Sequence, residues 1–556
     1  MVSISFLKRL PAVLAGVILA FSILAHAAAA NQSGPTANPG APPGYFALKP
    51  YILPAKSTAL DKQLLAIMEK YKIVGLSATV FRDNKIVWSG GYGWADLSTG
   101  RTVTPDTLFR VASLSKLVTA TALMQLYDQG KFGLDDDIGK YLGYRVFNPK
   151  YPDIKITFRQ LLTHTSSIVD SGAYDAIVEE NPALLRKIDI KDMLTPGSRY
   201  YTAATFSDAA PGTQFGYSNF GAGIAGSLVE KISGMPFDQY CAKYIFKPLN
   251  MDAGFEPANI KNWKNIAVLY RPDEQLVNFR PTKDNYNNSK PEPASVTAPL
   301  GSALGRSPAG GLRSSSVDFA KFMQAHMNGG VYNKTRILRA DTADLMHSMQ
   351  WFGYGLDGLY KQKGLNFHIT DDLVPGRRLV GHSGEAYGLS ADAYYDPDNK
   401  FGIVFMINGA NLTQANPYYS VENSVAKTLF DTFAPKSSDK PPKIKAKAGT
   451  SVITVNDRKI FLPVPAVVNT AGKAQLLFLP AISAADALKT GIAQSGDTLT
   501  FTYKQTKASL TVGQTAITVN GKAITLPQAP YKYNGQILIP VRELAAALNI
   551  NTKLSL

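Results

Sequence analysis

Apolar and polar positions alternate in distinct registers along the chain, and the changes of register mark its units. Lys8 and Arg9 precede an apolar run from Leu10 to about Leu24. Small residues follow, with Ala25-His26-Ala27 as a cleavage site and more alanines up to Ala30. This is the layout of a secretory signal peptide. The run is short for a membrane span, and no later segment is long and apolar enough to cross a bilayer. Asn31 to Gly44 is rich in proline, glycine and polar residues and reads as a linker. Leu60, Leu64, Leu65 and Met68 then recur at helical spacing. Leu76 to Phe81 and Lys85 to Trp88 read as strands joined by an Arg82-Asp83-Asn84 turn. A long helix is expected from about Ser113 to Gln129, carrying Leu117, Val118, Ala120, Leu123, Met124 and Leu126. Strand patterns return at Leu379 to His382, Ser390 to Tyr395 and Phe401 to Ile407, and a helix around Ser420 to Phe433 closes the unit. Strands at both ends with helices between predict an α/β (α+β) fold: an antiparallel sheet flanked by helices and split by a helical insertion.

Beyond this unit, Pro435 to Gly449 carries prolines and alternating lysines and reads as an extended, solvated linker. The tail repeats itself. Val455-Asn456-Asp457-Arg458-Lys459-Ile460 to Pro463 matches Val519-Asn520-Gly521-Lys522-Ala523-Ile524 to Pro527. Leu477-Phe478-Leu479-Pro480 before an Ala/Leu helix matches Leu538-Ile539-Pro540-Val541 before Leu544 to Leu548. Each unit is expected to be a hairpin followed by a strand and a helix, stacked as small modules. The domain organisation expected is therefore 1–30 signal peptide, 31–56 linker, 57–434 main domain, 435–450 linker and 451–556 repeat domain.

Composition narrows the function classes. The 556 residues are 45% hydrophobic and 18% charged, enough for a large core in two or three folded units. Cys241 is the single cysteine, so no internal disulfide forms. The net charge is +16, and from Lys436 onward 15 Lys plus Arg face 5 Asp plus Glu. A basic tail on an exported chain suits an anionic cell-wall polymer, and equally reads as a solvated linker before a mildly basic domain. Nucleic acid is a poor partner outside the cell. Six scattered histidines, one of them in the signal peptide, offer no metal site. No glycine-rich phosphate loop appears, and no cofactor is expected.

Three short motifs carry chemistry. Ser113-Leu114-Ser115-Lys116 follows an apolar stretch, Leu108 to Ala112, and opens the long helix; the same spacing at Ser437 to Lys440 falls in the linker. A serine hydroxyl is a weak nucleophile that needs an adjacent base. A lysine on the same helical face, desolvated among apolar residues, loses its proton readily enough to serve as one. The alternative is a capping serine beside a solvated lysine. Tyr217-Ser218-Asn219 sits among glycines and aromatics before a second helical pattern, unlike the copy Tyr286-Asn287-Asn288 in a polar stretch. A phenol near a lysine can relay protons, and Asn219 can hold a substrate amide and orient the lysine. Gly381-His382-Ser383-Gly384 ends a strand-like run. The amide of Glu385 after it is a candidate partner of the Ser113 amide in an oxyanion hole. His382 alternatively reads as a packed or hydrogen-bonded strand histidine.

These motifs stand in Phe109-Arg110-Val111-Ala112-Ser113-Leu114-Ser115-Lys116, Leu161-Leu162-Thr163-His164-Thr165-Ser166-Ser167, Tyr217-Ser218-Asn219, Ala309-Gly310-Gly311-Leu312 and Gly381-His382-Ser383-Gly384. With them, the stretch from Ser57 to Phe433 resembles the serine β-lactamase, penicillin-binding protein and related esterase superfamily, nearest its class C and DD-carboxypeptidase branch. The resemblance implies an acyl-enzyme mechanism in which Lys116 and Tyr217 activate Ser113 against a peptide, ester or β-lactam carbonyl. It implies action on D-amino-acid peptides, as a DD-carboxypeptidase or D-aminopeptidase, with an esterase or a weak β-lactamase as alternatives. A non-catalytic wall-binding or sensor protein is the reading from another class. Where β-lactamases carry K-T-G, this chain has His382-Ser383-Gly384, so a permanent cation is lost, and Glu385 adds a negative charge nearby. Arg377 or Arg378 is a candidate replacement, or a surface residue. Ser167 stands where the family often has glycine, and His164 is expected to hold structure by hydrogen bonding. Val519-Asn520-Gly521-Lys522 and Leu538-Ile539-Pro540-Val541-Arg542 resemble the stalk-type repeats of copper amine oxidase N-termini. This implies a spacer or wall-contact module and no copper, since the tail has no histidine, cysteine or methionine.

Overall fold

The run Gly75–Arg82 alternates apolar and small residues and is buried on both faces along nearly its whole length, because helices cover the sheet on each side. The computed structural model describes residues 43–52, 56–353, 362–415, 417–435, 441–471 and 474–556. The expected signal peptide, most of the linker after it, and the second Ser-x-x-Lys at Ser437 to Lys440 lie outside the described residues. Among the described residues no helix is long and apolar enough to cross a membrane.

The main sheet has nine strands among the described residues. Their order is Trp351–Phe352, Gln362–Lys363, His368–Thr370, Leu379–Ala386, Leu389–Asp396, Phe401–Ile407, Gly75–Arg82, Lys85–Asp96 and Arg101–Thr102. Every pairing is antiparallel, and the two ends of the domain meet in register at its centre, with Phe401 opposite Arg82 and Ile407 opposite Leu76. This is the split antiparallel sheet expected from the hydrophobic pattern. On one face lie Ala59–Tyr71, opened by a Thr58/Asp61 capping box, and Ser420–Phe433; Leu64, Met68, Val425 and Leu429 fill the layer between them and the sheet. The other face carries Ser316–Met327 and the helix Ser115–Asp128. Truncating one such buried leucine to alanine costs about 2–5 kcal/mol.

The helix Ser115–Asp128 is buried around its whole circumference from Ser115 to Leu126, so it lacks a polar stripe. Its threonines fit because their hydroxyls find carbonyls: Thr119 donates to Pro308 O and Thr121 to Leu117 O. Ser113 lies just before it, in the tight turn Ala112–Leu114, rather than in the helix itself. Ala112 holds φ at 44°, a left-handed conformation that turns the chain sharply into the helix.

The tail follows its repeat. Hairpins Val452–Val455/Arg458–Phe461 and Ala516–Val519/Lys522–Thr525 turn on Asn456-Asp457 and Asn520-Gly521, all with positive φ. The strands Ala474–Pro480 and Gln536–Pro540 each run into a helix, Ala481–Leu488 and Val541–Ala547, and pair with each other with Pro480 opposite Leu538 and Phe478 opposite Pro540.

Two expectations about the tail are corrected. The second linker is not wholly extended and solvated: Lys443–Lys445 is a strand, paired with Val452–Val455 and with Lys553–Ser555 at the chain end, and Ile444 between its two lysines is fully buried. Nor does the tail stand off as a spacer. Asp486, buried in the helix Ala481–Leu488, accepts from the amide of Met349 at 3.0 Å and pairs with Arg378 at 3.5 Å and Arg458 at 3.0 Å. Lys459 pairs with Asp341, and its amide donates to Asp344; Lys489 pairs with Asp398. Part of the tail's positive charge is thus spent on acids of the main domain.

Candidate active site

Three elements bring their residues to one point. The turn at Ala112–Leu114 presents the Ser113 hydroxyl. One helical turn on, Lys116 is fully buried, and its amine donates to Ser113 Oγ at 3.0 Å, Asn219 Oδ1 at 2.8 Å and Ala309 O at 2.8 Å. Tyr217 donates its phenol to the same Ser113 Oγ at 2.8 Å, and the Lys116 amine lies 4.8 Å from the centre of its ring. Burial pulls the Lys116 amine down from its usual 10.5 to about 7, against the opposing pull of the Asp170 carboxylate. Ser113, Lys116, Tyr217 and Asn219, far apart in sequence, are therefore in direct contact.

The Tyr217 motif is held from both sides. Ser218 caps the helix Asn219–Ser233 by accepting from the Gly221 amide at 2.8 Å. Asp170 accepts from Ser218 Oγ, from the amides of Asn219 and Phe220, and from Asn219 Nδ2, at 2.8–3.0 Å. That locks the amide of Asn219, leaving its oxygen facing Lys116. His164 has the structural role expected of it: Nδ1 accepts from the Ser218 amide at 3.2 Å, its carbonyl accepts from Gly216, and its ring lies 4.6 Å from that of Tyr217.

The third motif lies on the strand Leu379–Ala386. Gly384 has a steric reason to be glycine: a Cβ there would sit 2.4 Å from Val111 O and 3.2 Å from the Ser113 amide, so the strand and the Ser113 turn are in backbone contact. His382 is buried, its Nδ1 lies 2.5 Å from Ser383 O, and its ring is 3.9 Å from that of His368. Burial and the neighbouring Lys363 and Lys116 hold its pKa well below the ordinary value. A neutral imidazole thus occupies the place of the missing cation. The Glu385 carboxylate accepts from Tyr419 at 2.6 Å. Arg377 and Arg378 do not reach the site: Arg377 binds Asp396 and Pro435 O, and Arg378 faces Asp486 of the tail.

Ser113, Tyr217, His382, Ser383, Gly384 and Glu385 line a cavity of about 280 Å³, joined by His368, Gln414, Pro417, Tyr419 and Glu422. Among the described residues no Lys or Arg lines it. Burial lifts the Glu422 carboxyl to about 7, although the Tyr419 amide and Ser390 hydroxyl bond it. Asp170, His368, Tyr419 and Glu422 escaped the sequence reading; each arrives from a loop, strand or helix whose local pattern carries no mark of the site. Among the described residues no group of three His, Cys, Asp or Glu side chains is placed to hold a metal ion.

Residues 60–421 match the β-lactamase family, and residues 468–555 match the copper amine oxidase N-terminal domain family. A β-lactamase of Yersinia enterocolitica is 26% identical over 376 residues, 63% of this chain and 86% of that protein. Penicillin-binding protein 4 of Amycolatopsis lactamdurans is 26% identical over 398 residues, 69% of this chain and 94% of its own. The octameric penicillin-binding protein homologue from Pyrococcus abyssi has the same fold, with a TM-score of 0.53 and 20% identity over 86% of this chain and 99% of that one.

Proposed function

The chain belongs to the β-lactamase family of serine hydrolases, and on that premise we propose that it is an exported enzyme that carries the acyl group of D-amino-acid peptides on Ser113. The observation that carries this reading is the convergence of a half-deprotonated amine and a phenol on one hydroxyl: Lys116 Nζ at 3.0 Å and Tyr217 Oη at 2.8 Å from Ser113 Oγ. As a free amine, Lys116 takes the Ser113 proton while Oγ attacks the substrate carbonyl carbon. The negative oxygen that forms faces the backbone amides of Ser113 and Glu385. Tyr217 passes a proton to the departing amine, the C–N bond breaks, and the acyl group stays on Ser113 as an ester. Water then attacks that ester, giving its proton to the same pair, and the acid leaves as Ser113 regains its hydrogen.

The cavity's charge favours one side of the substrate class. A carboxylate, as on a penicillin or a C-terminal D-Ala-D-Ala, meets no Lys or Arg among the described lining residues and faces Glu385, beside a Glu422 that is about half ionised at pH 7. A substrate ammonium meets the opposite situation. The reading is therefore a D-aminopeptidase or D-amino-acid amidase type of activity, in preference to a carboxypeptidase. Export rests on the signal-peptide layout of residues 1–30. Wall association rests on the exposed lysines of the tail, among them Lys443, Lys445, Lys447, Lys507 and Lys522.

The test is a substrate panel on the full chain: D-alanine p-nitroanilide, its N-acetylated form, a p-nitrophenyl ester, N-acyl-D-Ala-D-Ala and a chromogenic cephalosporin. The free-amine anilide is expected to exceed its N-acetylated form at least about tenfold in kcat/KM, the scale of one desolvated ion pair. Equal turnover of the two forms removes the ammonium-reading cavity. Turnover of the ester alone replaces the peptidase with an esterase.

A further inference from the structure

We propose that the cleft between the main domain and the tail is a binding site for an uncharged glycan chain. The cleft has a volume of about 660 Å³, more than twice that of the cavity at Ser113 and within the range of ligand sites. The main domain supplies Phe215, Trp351, Phe352 and Gln214 to it, and the tail supplies Gln536 and Ile537. This inference goes beyond the acyl-transfer reading and stands without it.

The lining selects the ligand. Although the chain carries a net charge of +16, none of the described residues lining the cleft is Asp, Glu, Lys or Arg. Trp351 and Phe352 bring aromatic rings to the lining, Trp351 beside Phe215 with ring centres 5.8 Å apart at 34°. The C–H faces of pyranose rings pack on such surfaces. Carboxamides offer both donors and acceptors, the pairing that hydroxyls and acetamido groups need. Gln214 and Gln536 make no side-chain hydrogen bond among the described residues, and they face the cleft from opposite domains. Among the described lining residues a charged peptide would find no counter-ion. The edge strand Trp351–Phe352 is only two residues long, too short to add a peptide strand securely.

The cleft also adjoins the nucleophile. Trp351 packs on Phe215, Phe215 lies 5.9 Å from the His164 ring, His164 lies 4.6 Å from Tyr217, and Tyr217 bonds Ser113. The docking of the tail through Asp486 acquires a purpose, because only the docked tail completes the second wall.

The experiment uses the full chain with Ser113→Ala, so that no turnover enters the readout, and N,N′,N″,N‴-tetraacetylchitotetraose as the probe. Binding is followed by tryptophan fluorescence and by calorimetry. Saturable binding is expected, weakened at least about tenfold by Trp351→Ala and by Gln536→Ala, the loss typical of a contact central to an interface. Gln536→Ala decides the tail's part, because that side chain makes no hydrogen bond among the described residues whose loss would disturb folding; unchanged melting temperature confirms an intact protein. The proposal is overturned by absence of saturable binding up to about 10 mM probe, a limit above the weakest useful affinity. It is equally overturned if Gln536→Ala keeps the parent affinity, or if an acidic stem pentapeptide occupies the cleft and displaces the probe.

Discussion

Titrating the buried amine of Lys116 reads the proposed chemistry directly. With its pKa near 7, the free amine makes up about a tenth of the population at pH 6 and about nine tenths at pH 8. Acylation that needs the free amine therefore rises about tenfold across that interval and levels off above it. An amine left at its ordinary 10.5 would give a rise of about a hundredfold over the same interval, continuing past pH 9 without a bend. The lowering from 10.5 to about 7 corresponds to on the order of 5 kcal/mol favouring the neutral form. The sign is set by burial, and the Asp170 charge keeps the shift from going further. The assay is kcat/KM for a p-nitrophenyl ester from about pH 5 to about pH 9, in the parent and in Lys116→Arg, whose guanidinium stays charged throughout. Glu422 also titrates near 7, so the profile is repeated in Glu422→Gln, where the bend should persist. A profile without a bend near 7, or a bend that survives in Lys116→Arg, refutes the assignment of the base.

Other perturbations separate positioning from chemistry. Tyr217→Phe keeps the ring that packs on His164 and removes the phenol's bond to Ser113 Oγ, so kcat for acylation should fall about 10²–10⁴-fold with little change in melting temperature. Gly384→Ala drives a methyl to 2.4 Å from Val111 O, backbone against backbone; a loss of about 1–3 kcal/mol in urea unfolding and a marked drop in turnover are expected. Asp486→Ala leaves the buried Arg378 and Arg458 without their shared carboxylate. Chemical denaturation should show a loss of about 3–5 kcal/mol, confined to loosening of the tail if the two domains melt separately.

What was legible in the sequence has a common physical basis: it was written in one contiguous pattern. The apolar run after Ser113 is a helix buried on every side. The Asn456-Asp457 and Asn520-Gly521 pairs announced hairpins because those residues tolerate positive φ. Two short motifs, each with a decoy elsewhere, named Ser113, Lys116, Tyr217 and Asn219, and the structure brings these into contact. What was not legible depends on partners distant in sequence. Asp170 looks like any loop acid until Ser218, Asn219 and Phe220 are folded onto it. Arg378 looked available to the substrate, yet its counter-charge sits in the tail. Asp486 is a lone acid in an Ala-rich helix, and nothing local in that pattern names Arg378 and Arg458 as its partners. Ile444 between lysines was taken with the linker because proline and lysine dominate the stretch, although Lys-Ile-Lys is also the alternation of a half-buried strand.

Trapping the acylated residue tests the central claim most directly. The full chain is treated with a fluorophosphonate, and intact-mass and peptide-level mass spectrometry locate the adduct. The account predicts one adduct, on the peptide holding Ser113, absent from Ser113→Ala and much slower to form in Lys116→Arg. An adduct elsewhere, or hydrolysis that persists undiminished in Ser113→Ala, would contradict it.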